Sequence, residues 1–141
     1  MPIRNNVSFR HPASFVPAVD AEGIISTDGA GWFVDLLRAI PRLVVDPKLC
    51  QEDWGVVVFG KRDGFEFWFG LSFADEDEWL AHVHHRRVLQ RFRAAGKAAY
   101  AEVISDLHAV LVNDGTVDEV RWFLEAEMSR GDARGAATPD A

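Results

Sequence analysis

One run limits the folds open to this chain more than any other: DWGVVVFGKRDGFEFWFGLSFADEDEWLAHVHHR, residues 53–86. Asp63-Gly64 sits between two stretches rich in β-branched and aromatic residues. A two-residue type I′ hairpin needs positive φ at both central residues, and Asp-Gly supplies it at little cost. With that turn Arg62 faces Phe65. Stepping back along the strands pairs Gly60 with Phe67, Val58 with Phe69, Val56 with Leu71 and Trp54 with Phe73 on one face. The opposite face pairs Lys61 with Glu66, Phe59 with Trp68 and Val57 with Gly70.

A second connection, ADEDE from Ala74 to Glu78, sets Phe73 opposite Trp79, Leu71 opposite Ala81, Phe69 opposite Val83 and Phe67 opposite His85. Two turns chosen independently thus send the large apolar residues to the same face, whereas a one-residue slip would scramble them. The prediction is a three-stranded antiparallel meander over about 54–85. Phe69 should be a core residue, while Arg62, at the flank of the turn, is expected to matter far less.

The flanking segments are less regular. Before residue 29, Val7, Phe9, Phe15, Val16, Val19, Ile24 and Ile25 are scattered among Pro12, Pro17 and Gly23, which predicts a short edge strand and loops. In STDGAGWFVDLLRAIP, Thr27 or Asp28 is placed to cap a helix over about 29–40, whose Trp32, Phe33, Leu36, Leu37 and Ile40 follow helical spacing before Pro41. From Val88 through Leu89, Phe92, Ala95, Ala99, Val103 and Leu107 apolar residues again recur every three or four positions. A second helix is predicted over about 97–113, with the part before Gly96 an earlier helical turn or a structured loop. In TVDEVRWFLEAEM the capping-box spacing of Thr116 and Glu119 competes with the alternation of Val120, Trp122 and Leu124; the β-rich VRWFL favours a strand beside the meander. The expected class is α+β. Residues 1–128 form a single domain built on an antiparallel sheet, extended by an N-terminal and a C-terminal strand, with two main helices; the apolar-poor tail 129–141 is expected to be disordered.

With 141 residues, 48% hydrophobic and 26% charged, the chain has the makings of one globular core. Twenty-two acids against 15 Lys and Arg give a formal charge of -7, a field that disfavours broad nucleic-acid binding and anionic lipid. The single cysteine, Cys50, cannot form an intrachain disulfide. No apolar run reaches membrane-spanning length, and MPIRNNVSFRH lacks the apolar stretch of a signal peptide, so a cytoplasmic location is expected.

The histidines raise a chemical question, because WLAHVHHRR carries three of the five. In the meander register His82 and His84 fall on the outer face beside Gly70 and Trp68, with Leu80 opposite Ser72 and Arg86 opposite Glu66. Phe59, Val57, Trp68 and Leu80 make that face half apolar. Two histidines at i and i+2 on a strand point the same way, so His82, His84 and Glu66 could hold zinc or another divalent metal, or the imidazoles could move protons beside a Trp68 wall. Ser72 has no nucleophile elbow, and Cys50 shares no local pattern with a histidine. A separate stretch, RRVLQRFRAAGK, gathers Arg86, Arg87, Arg91, Arg93 and Lys97, an anion site or a solvated surface that neutralises Asp75–Glu78.

Two readings follow. The leading one is a non-enzymatic protein-interaction module without a cofactor, similar in general character to bacterial immunity or inhibitor proteins, with no membrane role. It would meet a basic partner through Asp75, Glu76, Asp77 and Glu78 together with Phe59 and Trp68. The alternative is a small-molecule or metal-binding protein, hydrolase-like in kind, centred on Glu66, Trp68, His82 and His84.

Overall fold

The computed structural model describes residues 3–12, 30–75, 77–130 and 134–140. Among the described residues seven strands form one antiparallel sheet, an α+β architecture with three α-helices: β1 (Asn6–Arg10), α1 (Gly31–Arg38), β2 (Val44–Val45), β3 (Cys50–Glu52), β4 (Gly55–Arg62), β5 (Phe65–Asp75), β6 (Glu78–His85), α2 (Ala94–Asn113), β7 (Asp118–Phe123) and α3 (Glu125–Arg130). A short 3-10 helix, Val88–Phe92, joins β6 to α2. The strand order is β2-β4-β5-β6-β1-β7, with β3 also paired to β4.

The meander has the register that the two turns dictate. Arg62 lies opposite Phe65, Phe59 opposite Trp68 and Val57 opposite Gly70, then Trp68 opposite His84 and Gly70 opposite His82. Asp63 takes φ 52° and Gly64 φ 85°, the left-handed values that the two-residue turn requires. Val56, Val58, Phe67, Phe69, Leu71, Trp79, Ala81 and Val83 are buried on the inner face. Against them pack Phe33 and Leu37 from α1 and Val103, Ile104, Leu107 and Leu111 from α2.

Several expectations need correction. Trp54 does not face Phe73 in the core. It sits in the turn between β3 and β4, 37% exposed, and its indole lies 5.1 Å from the His82 ring on the outer face. Pairing of Cys50 with Val57, which sequence spacing did not suggest, makes residues 53–54 a hairpin turn and takes Trp54 out of the strand alternation. The N-terminal strand is no edge: β1 lies between β6 and β7, with Val7 and Phe9 fully buried. The C-terminal strand therefore reaches the meander only through β1. Arg62 is 3% exposed, because the alternation that sends Gly60 and Phe67 inward sends it there too; it donates to Asp106 at 2.6 Å and to the Pro41 carbonyl.

Both main helices are present with shifted ends. Thr27 and Asp28, the expected caps of α1, lie outside the described residues; the helix follows Ala30 without a side-chain cap. Val88, Leu89 and Phe92, read as part of the helical stripe, are exposed, since the 3-10 turn breaks the period before α2 begins. Within residues 134–140, Ala136 exchanges two backbone hydrogen bonds with Trp122, and the Arg4 N–H donates to the Pro139 carbonyl. Edge strand β7 offers free backbone groups, and these recruit a segment that has little apolar surface of its own. No helix among the described residues is long and apolar enough to cross a membrane.

Candidate functional site

The sheet face opposite α1 and α2 carries Phe59, Trp68, Trp54, His82 and His84. Gly70 organises them. It lies on β5 directly between Val57 and His82, and a Cβ there would overlap the Cε1 and Nε2 atoms of His82. The missing side chain lets the imidazole lie down on the strand, with Trp54 on one side and Trp68 edge-on at 5.3 Å. His84 stacks on Trp68 at 4.2 Å and 19°.

The two imidazoles bond to each other, His82 Nδ1 to His84 Nε2 at 2.9 Å, so one ring donates and the other accepts. Burial pushes His82 down to about 4, helped by the neighbouring His84, and burial also lowers His84. Both rings are neutral at pH 7. With His82 Nδ1 committed to His84 and Nε2 turned onto Gly70, the pair forms a packed wall more than an open set of ligands.

Glu66 does not join it. Its carboxylate is ion-paired with Arg87, whose hydrogen bond is the main reason that Glu66 stays below the usual carboxylate range. Among the described residues no three His, Cys, Asp or Glu side chains come together to hold a metal ion. Cys50 shares the ladder Cys50–Val57–Gly70–His82 but stands three strands from the histidine, roughly 14 Å, too far for a thiol–imidazole pair.

The acidic loop and the aromatic platform are also separate. Asp75 is seven residues along β5 from Trp68, roughly 23 Å of strand. Asp77 is paired with Arg10, Glu78 is half-buried at the start of β6, and Glu76 lies outside the described residues. Toward α3, Leu80 of the outer face and Met128 line a cavity of about 180 Å³.

Two features escaped sequence reasoning. A cleft of about 730 Å³ between α1 and α2 is lined by His11, Trp32, Asp35, Asp106, Val110 and Asp114. His11 and Trp32 stack at 4.0 Å, and His11 Nδ1 and Trp32 Nε1 are buried without a hydrogen-bond partner among the described residues. No local pattern joins residues so far apart in the chain. The second feature is the exposed apolar crest of the 3-10 helix, hidden because helical spacing assigns its residues to the core.

Compared with known protein families, curated proteins and solved structures, the chain matches none.

Proposed function

We propose that this chain is a non-enzymatic protein-interaction module, of the immunity or inhibitor kind, whose contact surface is centred on the outer sheet face. One observation carries the reading: Phe59, Trp68 and Trp54 lie together on the side of the sheet that neither long helix covers. Large rings that keep one side open are the side chains that anchor interfaces, because they remove much apolar area from water at little rotamer cost. Arg86 lies 4.1 Å over the Phe59 ring and adds a cation to the rim. The net charge of -7 and the acidic loop Asp75–Glu78 at the far end of β5 would steer a basic partner without supplying most of the affinity.

The test is affinity capture from the native cell, followed by titration of the captured protein, purified, against three forms of the chain. Phe59→Ser/Trp68→Ser should weaken binding by at least about tenfold. Neutralising the loop with Asp75→Asn, Glu76→Gln, Asp77→Asn and Glu78→Gln should slow association and flatten its salt dependence while leaving dissociation nearly unchanged. Retention of the same partner with equal affinity by all three forms would reject this surface.

A further inference from the structure

We infer that the 3-10 helix Val88–Phe92 is a second docking surface, built to receive an acidic, amphipathic segment of a partner protein. The inference goes beyond the outer-face reading and rests on a different set of exposed apolar residues. Its basis is an inversion of polarity. In Val88-Leu89-Gln90-Arg91-Phe92 the polar Gln90 is buried, while Val88, Leu89 and Phe92 are 60%, 72% and 66% exposed.

The inward glutamine has a structural reason. Its amide donates to the Glu66 carbonyl at 2.8 Å and accepts from the Glu66 N–H at 2.9 Å, closing the backbone groups at the start of β5. Gly96 then locks the turn against α2, since a Cβ there would overlap the Gln90 carbonyl oxygen. The fold therefore requires Gln90 and Gly96. It requires nothing apolar at 88, 89 or 92, where polar side chains would be equally well accommodated and better solvated. Three large apolar side chains displayed together on a fixed turn mark a contact surface.

The charge around the crest defines the occupant. Arg86, Arg87, Arg91, Arg93 and Lys97 surround it, and residues 86–97 contain no acid in a chain that carries 22. Arg91, Arg93 and Lys97 make no ion pair among the described residues, and Arg91 lies 4.9 Å over the Phe92 ring. Concavities flank the crest on both sides. One, about 520 Å³, is lined by Phe65, Val88, Leu89, Arg87 and Arg93; the other, about 350 Å³, by His84, His85, Arg91, Lys97 and Tyr100. A ridge with a groove on each side, apolar at the crest and cationic at the rims, complements an extended or helical segment that alternates acidic and apolar side chains. A flat lipid surface would leave the two grooves empty.

The probe is a fluorescein-labelled synthetic peptide of about 16 residues composed of Glu, Asp, Leu and Phe in helical amphipathic order. Two control peptides replace the acids by Gln and Asn, or the Leu and Phe by Ser. Anisotropy should show saturable binding of the first peptide only, weakened several-fold as salt rises from about 50 to 200 mM. Leu89→Ser/Phe92→Ser and Arg91→Glu/Arg93→Glu should each weaken it by at least about tenfold, and Val44→Ser/Val112→Ser, exposed apolar residues elsewhere, by less than about twofold. The melting temperature should hold in all three variants, since no core contact is lost. Absence of saturable binding overturns the inference, as does equal binding of the uncharged peptide. Binding to phosphatidylserine vesicles in preference to the peptide overturns it in favour of a lipid surface. A dimer in sedimentation that the ridge variants dissolve overturns it in favour of a second copy of the chain.

Discussion

Gly70→Ala is the sharpest test of the outer face, because one methyl group should change both stability and its dependence on pH. The new Cβ would overlap His82 and stand 2.9 Å from Cη2 of Trp54, so the imidazole must lift from the strand and break its bond to His84. Overpacking of this kind costs about 1–3 kcal/mol, the lost hydrogen bond included. In the native wild type His82 takes up a proton only near pH 4, whereas the unfolded chain takes it up near 6.5. Between these values the unfolded state holds more protons, so the stability due to a neutral His82 is complete above 6.5 and disappears as pH falls to about 4. The full shift would correspond to roughly 3 kcal/mol; the ring is partly open to water, and screening reduces this to about 1–2 kcal/mol. In the variant the displaced ring titrates nearer 6.5 and that contribution vanishes. Urea unfolding should therefore show Gly70→Ala less stable by about 1–3 kcal/mol at pH 7.5, with the gap narrowing by about 1–2 kcal/mol at pH 4.5. His11, His85 and His108, also lowered mainly by burial, contribute in the same direction in both proteins and cancel in the difference, whereas His84, which loses its bond to His82 in the variant, is followed by its own signal. NMR titration of the histidine Cε1–H signals supplies the direct readout. A variant whose His82 still titrates near 4, with unfolding free energy within about 0.5 kcal/mol of wild type at both pH values, would refute the packing of His82 on Gly70.

Phe69→Ala should cost about 3–5 kcal/mol in chemical denaturation, as the 1% exposed ring sits between the sheet and the helices. Arg62→Ala should cost about 2–4 kcal/mol, since it leaves the Pro41 carbonyl and Asp106 without their cation; a loss below about 0.5 kcal/mol would show that the guanidinium is dispensable. In a zinc titration at pH 7.5, wild type should retain less than one equivalent at micromolar metal, because Glu66 is held by Arg87 and His82 Nδ1 by His84. Stoichiometric uptake that disappears in His82→Ala/His84→Ala would show instead that the pair rearranges around an ion.

The meander was legible because two kinds of information agreed. Asp63-Gly64 sets a turn, and period-two alternation rejects every other register once one face must be buried. That logic also placed Phe59, Trp68, His82 and His84 on one outer face, correctly and in their true cross-strand partnerships. It failed where a side chain's direction depends on backbone far away in sequence. Trp54 follows a hairpin made by β3, a strand of three residues too short to carry its own periodicity. Val88, Leu89 and Phe92 obey helical spacing but fall in a turn shaped by the Gln90–Glu66 bonds, 24 residues apart. Arg62 departs from expectation for another reason: turn flanks are usually exposed, yet the alternation that buries Gly60 and Phe67 also sends Arg62 inward.

Glu66 illustrates how the two proposed surfaces are tied to one frame. Read as a metal ligand, it would serve the histidines; instead its backbone bonds Gln90 and the Arg86 N–H, and its carboxylate holds Arg87. Arg86 in turn lies over Phe59 on the outer face, while Val88 and Leu89 emerge on the crest two and three residues later. The start of β5 thus fixes the aromatic face and the basic crest relative to each other through a handful of hydrogen bonds, with no flexible linker between them. A partner that covers Phe59 must displace or accommodate Arg86, whose neighbour Arg87 stands at the edge of the groove beside Leu89. If both surfaces bind as proposed, these adjacent residues are the route by which occupation of one would reach the other, without a change of fold. Under this geometry the acidic peptide that fills the groove should alter the affinity of the outer-face partner, and by linkage the partner should alter the peptide's affinity by the same factor. A measured factor of one in both directions would establish that the two surfaces, although neighbours in sequence, act independently.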